Sequence, residues 1–128
     1  MVQVLVVDDQ PPFRAAARAV LNRISEFELV GEAASGEEAV SMSDSLRPDL
    51  VLMDINMGEM NGIEATRRVT ATHPATMVIL VSTYAAEDLP ADARSSGAAA
   101  YVHKDELSPR LLRRLWETGG DPAWPVSA

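Results

Sequence analysis

The chain has 128 residues and a mass of 13.8 kDa, which suits one buried core. Its 47% apolar and 23% charged residues are the balance of a globular protein, not of a disordered one. Nineteen acids against eleven bases give a net charge of -8, which repels phosphate backbones and anionic lipid, and the lack of cysteine excludes a disulfide framework or thiolate metal site. Nucleic-acid binding by this chain alone is therefore not expected.

The first element is V-Q-V-L-V-V at residues 2–7, a nearly continuous apolar run that suits a strand buried on both faces. It breaks at Asp8-Asp9. Phe13, Ala16, Ala17, Val20, Leu21 and Ile24 then form a helical stripe behind the Pro11-Pro12 pair. Residues 28–33 read as a short second strand near an edge. Ser35-Gly36-Glu37-Glu38 is a capping box for a second helix that stops at Pro48. Residues 49–54, D-L-V-L-M-D, are a third strand, and residues 62–73 a third helix closed by Pro74. Residues 77–81 are the most apolar strand, followed by Ser82-Thr83.

Residues 86–96 read as a weak fourth helix ended by Gly97, with Pro90 distorting its start. Residues 99–103 are a fifth strand. Ser108-Pro109 opens a last helix whose apolar face is Leu111, Leu112, Leu115 and Trp116. Residues 119–128 read as a loose tail, in which the context of Trp124 leaves open docking on the domain or on a partner. Five strands alternating with five helices predict an α/β fold with a parallel sheet covered on both faces. The longest apolar runs are five residues, too short for a membrane span, and the N-terminus lacks the basic flank of a leader. The default compartment is the cytoplasm.

In such a sheet every strand ends on one edge, and ligands bind there. Asp8-Asp9, Asp54, Ser82-Thr83 and His103-Lys104 stand at those ends. Lys104 is the only lysine; the other ten bases are arginine. Three clustered acids repel one another unless a cation intervenes, and an all-oxygen set suits a hard ion such as Mg²⁺. Asp8, Asp9 and Asp54 sum to three negative charges, which Mg²⁺ and Lys104 would neutralise. Aspartate is also a known phosphoryl acceptor.

These residues carry a resemblance. V-L-V-V-D-D at 4–9, V-L-M-D-I-N-M at 51–57, M-N-G at 60–62, L-V-S-T at 80–83 and G-A-A-A-Y-V-H-K-D at 97–105 resemble a response-regulator receiver domain of bacterial two-component systems. The flavour of D-D-Q-P-P-F-R and Y-V-H-K-D is nearest to receivers joined to a helix-turn-helix DNA-binding domain in a transcription regulator. The resemblance implies a flavodoxin-like, doubly wound sheet in the order 2-1-3-4-5, with a receiver at residues 1–118; the tail at 119–128 reads as too short for an output domain, so the expectation of none in this chain is a departure from the family. It implies Asp54 as phosphoacceptor and Asp9 as direct Mg²⁺ ligand, with Asp8 acting through water and Asn56 lending its backbone carbonyl. Ser82 matches the switch hydroxyl, and Lys104 the lysine that contacts phosphate. Tyr101 matches the aromatic switch that turns inward on activation, and Thr83 the residue governing access. The implied donor is a sensor histidine kinase. The implied output face is the fourth helix, fifth strand and last helix, which could also hold a homodimer.

Two positions depart from the family pattern: Gly58 replaces a frequent proline, and Asp105 follows the lysine where many receivers have proline. Two other readings compete. One is a receiver-like interaction module that signals without phosphate, to which Gly58 gives some standing. The other is a haloacid-dehalogenase-type phosphatase, opposed by Asn56 standing where its general acid belongs. His73 reads as a solvated helix cap, His103 as solvent-facing, and the methionines at 53, 57 and 60 as packing.

Overall fold

The computed structural model describes residues 1–124. Its strands are β1 (Val2–Val7), β2 (Phe27–Ala33), β3 (Leu50–Asp54), β4 (Met77–Ser82) and β5 (Ala100–His103), all parallel, in the order β2-β1-β3-β4-β5. The α-helices among the described residues are α1 (Pro11–Asn22), α2 (Gly36–Leu46), α3 (Gly62–Thr72) and α4 (Pro109–Thr118). The doubly wound sheet and its order match expectation. Among the described residues no helix is long and apolar enough to cross a membrane.

Alternate residues of the central strands serve opposite layers. Leu5, Val7, Val51, Met53, Val78 and Leu80 pack with Ala39 of α2 and with Ile63 and Val69 of α3. Val4, Val6, Leu50, Leu52, Ile79 and Val81 pack with Leu21 of α1 and with Leu112 and Leu115 of α4. Burial on both faces is why these strands read as unbroken apolar runs. Local signals fix the helix starts. Ser35 Oγ accepts from Glu38 N at 3.1 Å, while Glu38 Oε1 reaches back to Ala34 N at 3.1 Å. Ser108 Oγ accepts from Leu111 N behind Pro109.

The expected fourth helix is not formed. Residues 86–96 hold two short 3₁₀ turns, Ala86–Asp88 and Ala91–Ala93, with Leu89 and Pro90 extended between them. Pro90 drives Leu89 out of helical geometry and offers no N–H. Of the apolar side chains in the two turns only Ala93 is buried, so no stripe repays winding them into one helix. The tail also differs: residues 119–124 turn back onto the domain and bury Trp124. The remainder of the expected tail, 125–128, lies outside the described residues.

Glycine is required where α3 begins. A Cβ on Gly62 would lie 1.8 Å from the Asp54 carbonyl oxygen, so α3 sits hard against the end of β3. Gly58 has a φ of 50° but open space around it. Gly62→Ala is therefore expected to cost about 3 kcal/mol in urea unfolding, and Gly58→Ala only about 1 kcal/mol of backbone strain. Equal losses at the two positions would contradict this packing.

Candidate functional site

The sheet gathers side chains that lie up to about a hundred residues apart in sequence. Asp8 and Asp9 follow β1, Asp54 ends β3, Ser82 ends β4 and Lys104 follows β5, all on one edge. Carboxylate oxygens of Asp8, Asp9 and Asp54 all lie within 4.8 Å of one another. Asp9, Asp54, Asn56, Ser82, Thr83 and Lys104 line a polar cleft of about 170 Å³. Asp8 is fully buried beneath them.

Lys104 is the cation of the group. Its Nζ lies 2.7 Å from Asp8 Oδ2 and 3.6 Å from Asp54 Oδ1. It also lies 4.5 Å from the centroid of the Phe13 ring, whose π face favours a cation there. Asp8 Oδ1 accepts from Gln10 N at 2.8 Å. Asp8 Oδ2 is buried and has the lysine charge beside it but no donor in hydrogen-bond geometry. Arg14 donates to the Asp8 carbonyl at 2.6 Å, tying α1 to the end of β1.

Asp54 Oδ1 accepts from Ile55 N at 2.9 Å. Its Oδ2 has no hydrogen bond among the described residues, so one oxygen is held and the other is available. Burial and then the Asp8 charge push the Asp54 carboxyl up to about 6, against the opposing pull of Lys104. Three acids and one lysine leave two uncompensated negative charges when all are ionised. The residues fit a hard divalent cation: the donors are all oxygen and they are close together. Asp9 and Asn56 stand exposed at the mouth.

Ser82 is buried, and its Oγ accepts weakly from Tyr84 N at 3.4 Å. Thr83 is exposed at the rim. Tyr101 does not line the cleft. Its hydroxyl donates to the Ser82 carbonyl at 3.0 Å and to the Tyr84 carbonyl, so it sits directly behind the residues that do. Burial raises the Tyr101 phenol above its usual value.

His103 departs from the solvent-facing expectation, while His73 is the expected helix cap but only partly exposed. His103 Nδ1 accepts from Asp105 N at 3.1 Å, so Nε2 carries the proton and donates to the Thr83 carbonyl at 3.0 Å. It pins the loop after β4. His73 caps α3 and bonds Asp44 of α2 at 2.8 Å. Met53 and Met57 are buried and Met60 packs beside them, as expected. Phe13, Arg14 and His103 were not identified as site residues from sequence. The only trace of their roles was closeness in sequence to Asp9 and Lys104.

A family model described as response regulator receiver domain matches residues 4–115. The transcriptional regulatory protein DegU of Brevibacillus brevis is 35% identical over 114 residues, covering 89% of this chain and 48% of that protein. The chain thus spans about half the length of the curated relatives it matches. The signal receiver domain of the response regulator NarL from Mycobacterium tuberculosis superposes with a TM-score of 0.81 at 30% identity, covering 91% of this chain and 94% of that one. A CheX–CheY–BeF₃–Mg²⁺ complex from Borrelia burgdorferi gives a TM-score of 0.80 at 26% identity, over 93% and 90%.

The raised Asp54 carboxyl makes stability depend on pH. Its folded value of about 6 lies above the unfolded value of about 3.9, so the folded state binds this proton more tightly. The stability this contributes is complete below pH 4 and is lost as pH rises through 6. In chelator at pH 8, Asp54→Asn is expected to be more stable than wild type by on the order of 1–3 kcal/mol, with the gap closing by pH 4. Urea unfolding at the two pH values checks this, and a gap that widens toward pH 4 would contradict it.

Proposed function

Because this chain belongs to the response-regulator receiver family, we propose that it accepts a phosphoryl group from the phosphohistidine of a sensor histidine kinase onto Asp54. The observation that carries this reading is the unequal environment of the two Asp54 oxygens. Oδ1 is fixed by Ile55 N and faces Lys104, while Oδ2 is unpartnered beside a polar cleft.

In the proposed step Asp54 Oδ2 attacks phosphorus and forms a new P–O bond. The P–N bond of the phosphohistidine breaks, its electron pair stays on the imidazole nitrogen, and solvent supplies the proton. The carboxylate must be ionised to attack, which Lys104 favours and Asp8 and Asp9 oppose. Lys104 then shifts toward the phosphoryl oxygens as a point charge. The Ser82 hydroxyl donates to another of them, and Thr83 sets access for the water that later hydrolyses the acyl phosphate.

The cation proposed for the acidic cluster is Mg²⁺, held by Asp9 and Asp54 directly, by Asp8 through water and by the Asn56 backbone carbonyl. Bound there, it supplies charge that neutralises the transferring phosphoryl oxygens. This chemistry is self-directed, so the chain is read as a switch and not as an enzyme that turns over other substrates. The role is a cytoplasmic one. The face formed by residues 85–96, β5 and α4 is proposed as the output surface and as the site of any homodimer. With a net charge of -8, a transcriptional output runs through a further domain or a partner and not through DNA contact by this chain.

Acetyl phosphate with Mg²⁺ tests the reading by intact-mass spectrometry. Wild type is expected to gain one phosphoryl group and Asp54→Asn none. Lys104→Ala should slow labelling by roughly 10²-fold, the scale for losing one charge-stabilising donor. Undiminished labelling of Asp54→Asn would overturn the acceptor assignment. No labelling of wild type would favour an interaction module that works without phosphate.

A further inference from the structure

The segment that follows α4 is built to cross the sheet edge. Gly119 and Gly120 have φ values of 78° and 128°, both in the left-handed region that favours glycine. A Cβ on Gly120 would lie 2.6 Å from the Ala99 carbonyl oxygen. The turn is fastened by Gly120 N to Leu115 O at 2.9 Å, Thr118 Oγ1 to Gly120 O at 2.7 Å and Asp121 N to Ala99 O at 3.1 Å. Asp121 then accepts from Trp124 N through its carbonyl and from Ala123 N through Oδ1, each at 2.9 Å. Whereas α4 packs on the α1 layer, Trp124 packs in the α2–α3 layer. The segment therefore passes around the β5 edge from one face to the other.

Trp124 fills the layer that the unformed fourth helix leaves thin. It is 7% exposed and packs in the same cluster as Ala93 and Ala98. Its Nε1 donates to the Ala98 carbonyl at 3.3 Å. The Arg94 guanidinium lies 4.3 Å from the indole centroid, a cation–π contact that holds the 3₁₀ segment to the ring. Tyr101 lies next to it, with ring centroids 6.2 Å apart at 34°. Tyr101 in turn bonds the carbonyls of Ser82 and Tyr84. One continuous path thus joins the indole to the backbone that carries the Ser82 hydroxyl.

We propose that Trp124 is a positioning residue for the phosphoryl site, holding Tyr101 against the Ser82–Tyr84 backbone so that Ser82 stays poised at the cleft. The inference rests on the phosphoacceptor reading and adds a residue to it. Its direction follows from preorganisation. In this arrangement Ser82 lines the cleft, so bracing its carbonyl lowers the ordering cost when a phosphoryl group binds. The coupling is reciprocal, and a bound phosphoryl group tightens the Trp124 contact by the same factor.

Two measurements on the full chain separate this inference from the reading beneath it. Trp116→Phe leaves Trp124 as the only indole. In metal-free buffer its fluorescence should resist acrylamide several-fold better than a free tryptophan amide. Quenching equal to the free amide overturns the inference whether or not phosphate chemistry occurs. Beryllofluoride with Mg²⁺, followed by ¹⁹F NMR, then measures the site. Trp124→Ala should raise the beryllofluoride midpoint by about five- to tenfold. Gly120→Ala keeps both rings but cannot keep the turn, and should do the same. Full occupancy at saturating mimic shows that each variant is folded. Midpoints equal to wild type overturn the positioning role. A wild type with no bound ¹⁹F signal removes the phosphoacceptor reading and the coupling with it, while quenching still reports whether Trp124 is docked.

Discussion

Asp8 and Asp54 are carboxylates buried beside each other with a single ammonium, that of Lys104, between them and the cleft. Two buried acids sharing one base would be costly anywhere in a domain of this size. Here the cost is held in place by the sheet, because β1, β3 and β5 deliver all three residues to one edge. Gly62 closes α3 onto the Asp54 carbonyl, Arg14 ties α1 to Asp8, and Phe13 backs Lys104. The result is an acidic cup with two uncompensated negative charges when its acids are ionised, a setting that suits a cation.

The same edge connects the cup to the surface. Ser82 ends β4 inside the cleft, and the backbone just after it is held by two side chains from β5. His103 bonds the Thr83 carbonyl, and Tyr101 bonds those of Ser82 and Tyr84. Beyond that loop lies the 3₁₀ segment, whose few buried apolar groups place it at the low-stability end of the domain. Firm elements therefore surround the acids, and the least anchored element adjoins the loop that would sense a change in them.

How much was legible in the sequence follows from how local each cause is. The runs at 2–7, 49–54 and 77–81 announced buried strands because burial on both faces leaves no polar alternation. Ser35 and Ser108 announced helix starts because capping is settled within four residues. The site acids and Lys104 were legible because a parallel sheet sends every strand end to one edge. Residues 86–96 misled because alanine favours helix locally, while the outcome turned on Pro90 and on the missing apolar stripe. Trp124 could not be placed from sequence, since its partners Ala98, Arg94 and Tyr101 lie 23 to 30 residues away across a turn made by Gly119 and Gly120. The roles of Phe13, Arg14 and His103 likewise depend on side-chain directions that spacing does not reveal.

The charge deficit of the cup is tested most directly by urea unfolding of the wild type with and without Mg²⁺. A cation that binds only the folded state adds RT ln(1 + [L]/Kd), about 1–3 kcal/mol at ten- to hundredfold excess over Kd. The expected result is that gain in wild type and its loss in Asp9→Ala, which retains the buried pair but lacks the ligand at the mouth. An unfolding curve of the wild type that millimolar Mg²⁺ leaves unmoved would contradict a cup that binds a cation.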